Sequence, residues 1–298
     1  MTAARRQAAF AALALAASLL QAAVDLDALW DFARPAVSEQ RLRQALAAAS
    51  GDDALVLRTQ VARTFSLRRD FDAAHRELDA IEPLLATAGP APRVHALLER
   101  GRTLRSADRP AEALPLFGRA FDLADRERLE FLAADALHMQ ALVQPTPEGQ
   151  IAVNRRVVAY AQNAADLRAR RWDAAALNNI GVTLNETGRH QEALPVLREA
   201  LAAYTRAGRP HNVRLARWMV AHTLRRLGQL DEALVLQRAL EADWAAAGEV
   251  DPYVFDELAA IHAAKGDVDR AAHYRALANR ARSLTRKGVS RRGLNPAN

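Results

Sequence analysis

Ala176-Leu-Asn-Asn-Ile-Gly181-Val-Thr-Leu-Asn-Glu-Thr-Gly188-Arg-His-Gln-Glu-Ala193-Leu-Pro-Val-Leu-Arg-Glu-Ala200-Leu201 reads as two amphipathic helices joined by a turn at Gly188. Gly181 is a small residue on the first helix, placed where Ala193 of the second is expected to press against it. Copies of this unit recur on both sides, so the fold is decided by what a stack of such hairpins can build.

Aligned on the alanine of the second helix, the copies fall at Ala74, Ala113, Ala152, Ala193, Ala233 and Ala271, between 38 and 41 residues apart. A small residue precedes most of these by a constant interval: Ala62, Gly101, Gly181, Ala221 and Ala259. The turn falls at Arg69, Asp108, Gly188, Gly228 and Gly266. A heptad after the alanine stand Ile81, Ala120, Ala159, Ala200, Leu240 and Ala278. A fixed period with small residues where helices must approach is the signature of a helical solenoid. The expected fold is all-α, a right-handed α-α superhelical solenoid of about six helical hairpins. The third copy departs from the pattern. Its turn reads Val-Gln-Pro145-Thr-Pro147-Glu-Gly149-Gln, and two prolines there are expected to break or splay the hairpin.

Composition agrees with close-packed helices. Half of the 298 residues are hydrophobic but only 5% are aromatic. There is no cysteine, which excludes disulfides and thiolate metal sites. The net charge of +6 is smaller than the contribution of the eight basic residues from Arg270 onward, a stretch with no acid. The remainder is therefore slightly acidic, and the high pI reports the tail. Four segments follow: a leader over 1–24, an N-terminal capping segment over 25–52, the repeat domain over 53–285, and a basic flexible tail over 286–298. The capping segment carries an orphan helix over 35–49, since Arg34-Pro35-Ala36 aligns with Arg109-Pro110-Ala111. Trp30 and Phe32 are expected to close the apolar end. The leader pairs Arg5 and Arg6 with an uncharged run to Ala23, the outline of a secretory signal without a clean cleavage site. The expected location is cytoplasmic; the alternative is export or membrane anchoring through 1–23.

The small residue in the first helix, the Gly turn, the early Ala of the second helix and the apolar residue a heptad later resemble the tetratricopeptide repeat. The resemblance covers about residues 53–285, with Gly181, Gly188, Ala193, Ala200 and Ala221, Gly228, Ala233 as its strongest copies. The period exceeds the family's usual length of about 34 residues, which makes this chain similar to long-helix repeat sensors and cargo adaptors. The resemblance implies a groove lined mainly by the first helix of each hairpin, holding a protein or peptide partner. With Gly181 buried, Asn178, Asn179 and Asn185 project into it, joined by Arg63, Arg102, Trp218, His222 and Arg225. Asparagines can grip a peptide backbone, arginines can meet carboxylates, and a tryptophan offers an aromatic anchor. Asn178, Asn179 and Asn185 are peculiar to the central copy.

No catalytic motif is present: no Gly-rich phosphate loop, no His-Glu-x-x-His and no Gly-x-Ser-x-Gly. The eight histidines include no i, i+3 or i, i+4 pair, so no metal and no cofactor is expected. The function expected is a non-catalytic scaffold that binds a protein or peptide. The alternative is a ligand- or signal-peptide-sensing regulatory solenoid acting on a separate effector. No specific nucleic-acid partner is expected, the basic tail being suited to contact acidic surfaces. The resemblance and the scarcity of lysine, Lys265 and Lys287 alone, point to a bacterial source.

Overall fold

The structure, a computed structural model, describes residues 24–286. The leader over 1–23 and the tail over 287–298, with the expectations placed on them, lie outside the described residues. Those described are helices joined by short turns, with no strand among them. They group into two compact units divided between Leu129 and Glu130.

The first unit contains α1 (Leu26–Leu29), α2 (Pro35–Leu46), α3 (Gly51–Leu67), α4 (Phe71–Leu85), α5 (Pro90–Ser106) and α6 (Pro110–Arg126). The second contains α7 (Glu130–Ala141), α8 (Pro147–Asn163), α9 (Leu167–Arg170), α10 (Trp172–Glu186) and α11 (His190–Arg206). It continues through α12 (Pro210–Arg226), α13 (Leu230–Ala246), α14 (Pro252–Ala264) and α15 (Val268–Arg286). Within each unit consecutive helices pack as antiparallel hairpins, an all-α solenoid architecture.

One turn geometry ends the helices. Arg69, Asp108, Gly188, Gly228 and Gly266 all have positive φ, as do Gly208 and Gly248 between them. The residue after each donates back into the last helical turn: Arg109 N to Leu104 O at 2.9 Å, Arg189 N to Leu184 O at 2.8 Å, Gln229 N to Leu224 O at 2.9 Å. This is a Schellman cap, which satisfies carbonyls that the helix end leaves free. From α10 onward the caps fall at 188, 208, 228 and 248, and α11, α12 and α13 are each 17 residues long.

Helices approach through a small-against-large contact. A Cβ added to Gly181 would lie 2.4 Å from Leu197 Cγ, and one added to Gly101 would lie 2.5 Å from the Phe117 ring. The residue pressing most closely on Gly181 is thus Leu197, one helical turn beyond the expected Ala193. Ala193 itself is fully buried, as are Ala74, Ala113 and Ala233.

The third hairpin corrects the sequence register. α7 and α8 do pair. Residues 142–146 form the connection, and Pro147 opens α8, where a missing N–H costs nothing. Thr146 Oγ1 caps that end by accepting from Gly149 N at 3.1 Å. Ala152 and Ala159, taken as the repeat alanines, are exposed, while Asn154 and Val157 are buried. Matching Pro147 to Pro110 places Gln150, Asn154 and Val157 where the second hairpin has Ala113, Phe117 and Ala120.

That core row runs Leu78, Phe117, Asn154, Leu197 and Gln237, all buried. Asn154 Nδ2 donates to Gln150 O at 2.9 Å. Gln237 is fully buried, and neither its side-chain nitrogen nor its oxygen has a hydrogen-bond partner. At the N-terminal end α2 packs on α3 around Leu42, Leu57 and Val61. Trp30 lies against that cluster, stacked on Phe32 at 4.7 Å between centroids. No described helix is long and apolar enough to cross a membrane.

Two substitutions test this packing by urea denaturation. Gly181→Ala should lose about 1–2 kcal/mol despite alanine's helix propensity, because over-packing against Leu197 outweighs it, and Leu197→Ala should absorb much of that loss. Gln237→Leu should gain about 1–3 kcal/mol by removing an unsatisfied buried amide from a leucine position.

Candidate functional site

In the second unit, α10, α12 and α14 are the first helices of successive hairpins, and equivalent residues on them recur in rows. Asn178, Trp218 and Asp256 stand three residues before the small Gly181, Ala221 and Ala259. Val182, His222 and Ala260 stand one residue after, and Asn185 and Arg225 four after. All of these are half-exposed.

The asparagines differ in how far their amides are engaged. Asn185 Nδ2 donates to Thr223 Oγ1 at 2.7 Å, and its Oδ1 lies 3.0 Å from His190 Nδ1. Arg226 Nε donates to His190 Nε2 at 3.2 Å. With that nitrogen accepting, Nδ1–H is the donor to Asn185, and the neutral ring ties α10, α11 and α12 together. Burial, the Arg226 charge and His222 all push the His190 pKa down, which agrees with the neutral ring. Asn178 Oδ1 is buried without a hydrogen bond, and the Asn179 amide makes none.

Trp218, His222 and Arg225 converge. The Trp218 ring stacks on His222 at 5.2 Å, and its Nε1 donates to Tyr253 O at 3.2 Å. Beneath them lies Glu257, 4% exposed. His222 Nδ1 is 3.1 Å from Glu257 Oε2, and Arg225 Nε donates to Glu257 Oε1 at 2.5 Å. Burial pushes the Glu257 carboxyl up, but the hydrogen bonds and charges of His222 and Arg225 outweigh it and hold the group below its ordinary value.

Arg63 and Arg102 belong to the first unit and meet on another buried acid. Arg102 Nη1 donates to Glu99 Oε1 at 2.5 Å, and Arg63 Nη1 lies 3.8 Å from the same oxygen. Glu99 is 1% exposed. The Arg63 guanidinium also covers Trp30 and Phe32 at 5.4 and 5.0 Å. Glu99 and Glu257 occupy one repeat position, two residues before Gly101 and Ala259, and Arg63 and His222 occupy another, one residue after Ala62 and Ala221. Each unit thus sinks an acid into one first-helix and reaches it with a cation from the first-helix before it.

Sequence reasoning missed both acids. The small residue gave no signal for them: a position two residues before it lies about 160° around the helix, and the acids are buried because that side packs on the first-helix of the preceding hairpin. Among the described residues no cluster of three His, Asp or Glu side chains is placed to hold a metal.

The family model for the tetratricopeptide repeat matches residues 172–243, which run from the start of α10 through most of α13. These residues are tetratricopeptide repeats. No curated protein matches the chain. Among solved structures, the repeats share their fold with a signal transduction ATPase with numerous domains from Pyrococcus horikoshii that carries a tetratricopeptide repeat sensor. The TM-score is 0.69 at 11% identity, covering 86% of this chain and 40% of that one. BtubC (BKLC) from P. vanneervenii is similar with a TM-score of 0.63 at 16% identity, over 78% of this chain and 96% of its own. A Rap protein complexed with competence and sporulation factor gives a TM-score of 0.53 at 15% identity, over 86% and 73%. At these identities the likeness is one of fold.

The acid between α12 and α14 makes a stability prediction. Glu257→Gln should cost about 1.5–3 kcal/mol, since it leaves Arg225 and His222 facing a neutral amide. Because the folded carboxyl titrates below its ordinary value of about 4.3, its contribution is complete above that pH and is lost as the pH falls through the folded value. Urea midpoints of wild type and variant should therefore differ at neutral pH and converge in acid.

Proposed function

We propose that the face carried by α10, α12 and α14 binds an extended peptide segment of a protein partner, without catalysis. The observation that supports it is the pair Asn178 and Asn179. Their amides are not spent on the fold, and they stand one repeat away from the half-exposed Trp218. The half-exposed Asn179 carboxamide offers a donor and an acceptor together, which matches the alternating N–H and C=O of an extended backbone, while Asn178, its Oδ1 buried, has only its Nδ2 to donate. Trp218 and the exposed Tyr253 supply apolar area for one or two anchoring side chains.

The charged members of the face have a different part. Glu257 already engages His222 and Arg225, as Glu99 engages Arg63 and Arg102. These cations hold the neighbouring helices in register, and recognition rests on amides and aromatic surface rather than on a carboxylate clamp. A second reading, a sensor that passes peptide binding on to a separate effector, draws on the likeness to the repeat sensor of the ATPase and to Rap complexed with competence and sporulation factor.

Panning a displayed library of random linear peptides on the purified protein tests the site. Enriched peptides should bind wild type and lose at least tenfold in affinity, about 1.4 kcal/mol, in the Asn178→Ala/Asn179→Ala/Trp218→Ala variant. Trp218→Phe, which keeps a ring, should lose less and guards against a folding defect. Equal binding by a folded triple variant removes the assignment. A scattering change on peptide addition favours the sensor over the scaffold.

A further inference from the structure

The first unit carries a cleft on another set of helices. α5 packs against both α4 and α6, yet no Cα of α4 comes within 8 Å of one of α6. The two helices leave α5 as the floor of a trough of about 650 Å³. Its apolar lining includes Leu85 of α4, Leu97 of α5, and Leu116 and Leu123 of α6. The lining residues of α5 and α6 recur at helical spacing: Arg93, Leu97 and Arg100 on one, Leu116, Arg119, Leu123 and Arg126 on the other. The trough therefore runs along the helix axes. From Leu116 to Arg126 it extends roughly 15 Å at the α-helical rise.

The charges around it are unevenly used. Arg100 is engaged on the α4 side, with Nη1 2.8 Å from Asp79 Oδ1 and Nη2 3.4 Å from Glu82 Oε2. Arg93 and Arg119 are exposed and make no ion pair, and Arg126 reaches only Glu127, at 3.5 Å. On the α6 wall Asp122 is the one acid lining the cleft. The α4 side thus sets two acids against Arg100 and has no cation to spare, while the α6 wall and the N-terminal end of α5 present cations beside an apolar floor.

We propose that this trough docks an amphipathic helix of a partner protein, about three turns long, with carboxylates flanking its apolar stripe. The stripe sits on Leu97, Leu116 and Leu123, and the carboxylates meet Arg93, Arg119 and Arg126. Charge complementarity selects this occupant: basic flanks would face unpaired arginines, whereas acidic flanks meet guanidinium groups that accept carboxylates in a bidentate fork. The chain's own basic tail is excluded on the same ground. This site uses none of the residues of the α10, α12 and α14 face and does not depend on it.

The test is a displayed library of three-turn amphipathic helices with a fixed leucine stripe and flanking positions varied among Glu, Gln and Lys, panned on the full chain. Glu should be enriched at the flanks, and binding should weaken as salt is raised. The enriched helices should lose at least tenfold in affinity for Arg119→Glu/Arg126→Glu, two exposed positions whose change leaves the urea midpoint in place. Arg119→Gln/Arg126→Gln should fall between. No enriched helix, flanks enriched in Lys, no charge preference, or undiminished binding by the Glu variant each overturns the proposal. So does self-association of the chain that the Glu variant abolishes, because the occupant would then be a second copy.

Discussion

The close approach of a glycine-bearing helix to a large apolar side chain, Gly181 to Leu197 and Gly101 to Phe117, is the constraint on which the other features depend. Interiors are packed like solids, so a contact of this kind fixes both the separation of two helices and their rotation about their own axes. Once the rotation is fixed, every other position on the helix has an assigned side. The positive-φ caps then end both first helices seven residues after their small residue (Gly188, Gly228) and both second helices eleven residues after their core residue (Gly208, Gly248). Contact and cap together turn a sequence period into aligned rows of side chains.

Those rows explain how two acids come to be buried beside partners, although Glu99 Oε2 is left without a hydrogen bond. A lone carboxylate taken from water costs several kcal/mol unless it is paired and hydrogen-bonded. Glu257 receives His222 and Arg225 of the preceding first-helix, while Glu99 receives Arg102 from its own helix and Arg63 from the preceding first-helix. The pairing joins helices that are not neighbours in the chain. It therefore stiffens the row that also carries Asn178 and Trp218, and the two acids together engage Arg63, Arg102, His222 and Arg225, which a sequence reading offers to a ligand.

The hairpins, their turns and most of their buried alanines were legible from the sequence, because small residues and αL turns are local requirements that few residue types can meet. The third hairpin was misread where that code lapses. Ala152 and Ala159 continue the period numerically, yet Pro147 opens α8 and moves the inward row to the half-buried Gln150 and the buried Asn154 and Val157. Proline acts there as a helix start, so it carried positional information that the period overrode. The site was legible only in outline. Trp218, His222 and Arg225 could be assigned to one face from spacing, but Glu257, the partner of His222 and Arg225, is buried one residue after the half-exposed Asp256. A helix turns 100° per residue, so a single step separates a side chain in solvent from one in the core.

Where the repeats agree they make structure, and where they differ they make selectivity. Leucine or phenylalanine at the core row gives way to Gln237 and Asn154, and the row that carries Asn178 in one hairpin carries Trp218 in the next. A surface built from identical hairpins would present identical pockets and could not fix the direction or register of a bound chain. On the proposed reading, an amide pair followed by an aromatic platform would break that symmetry: backbone hydrogen bonding at one end and apolar burial at the other would make a peptide lie one way round. The same logic separates the two units. In the first, the unpaired arginines stand beside the trough between α4 and α6, while those nearest Glu99 are consumed by the fold. Charge that is free to recognise a partner therefore lies on a different side of the hairpins from charge that holds them together.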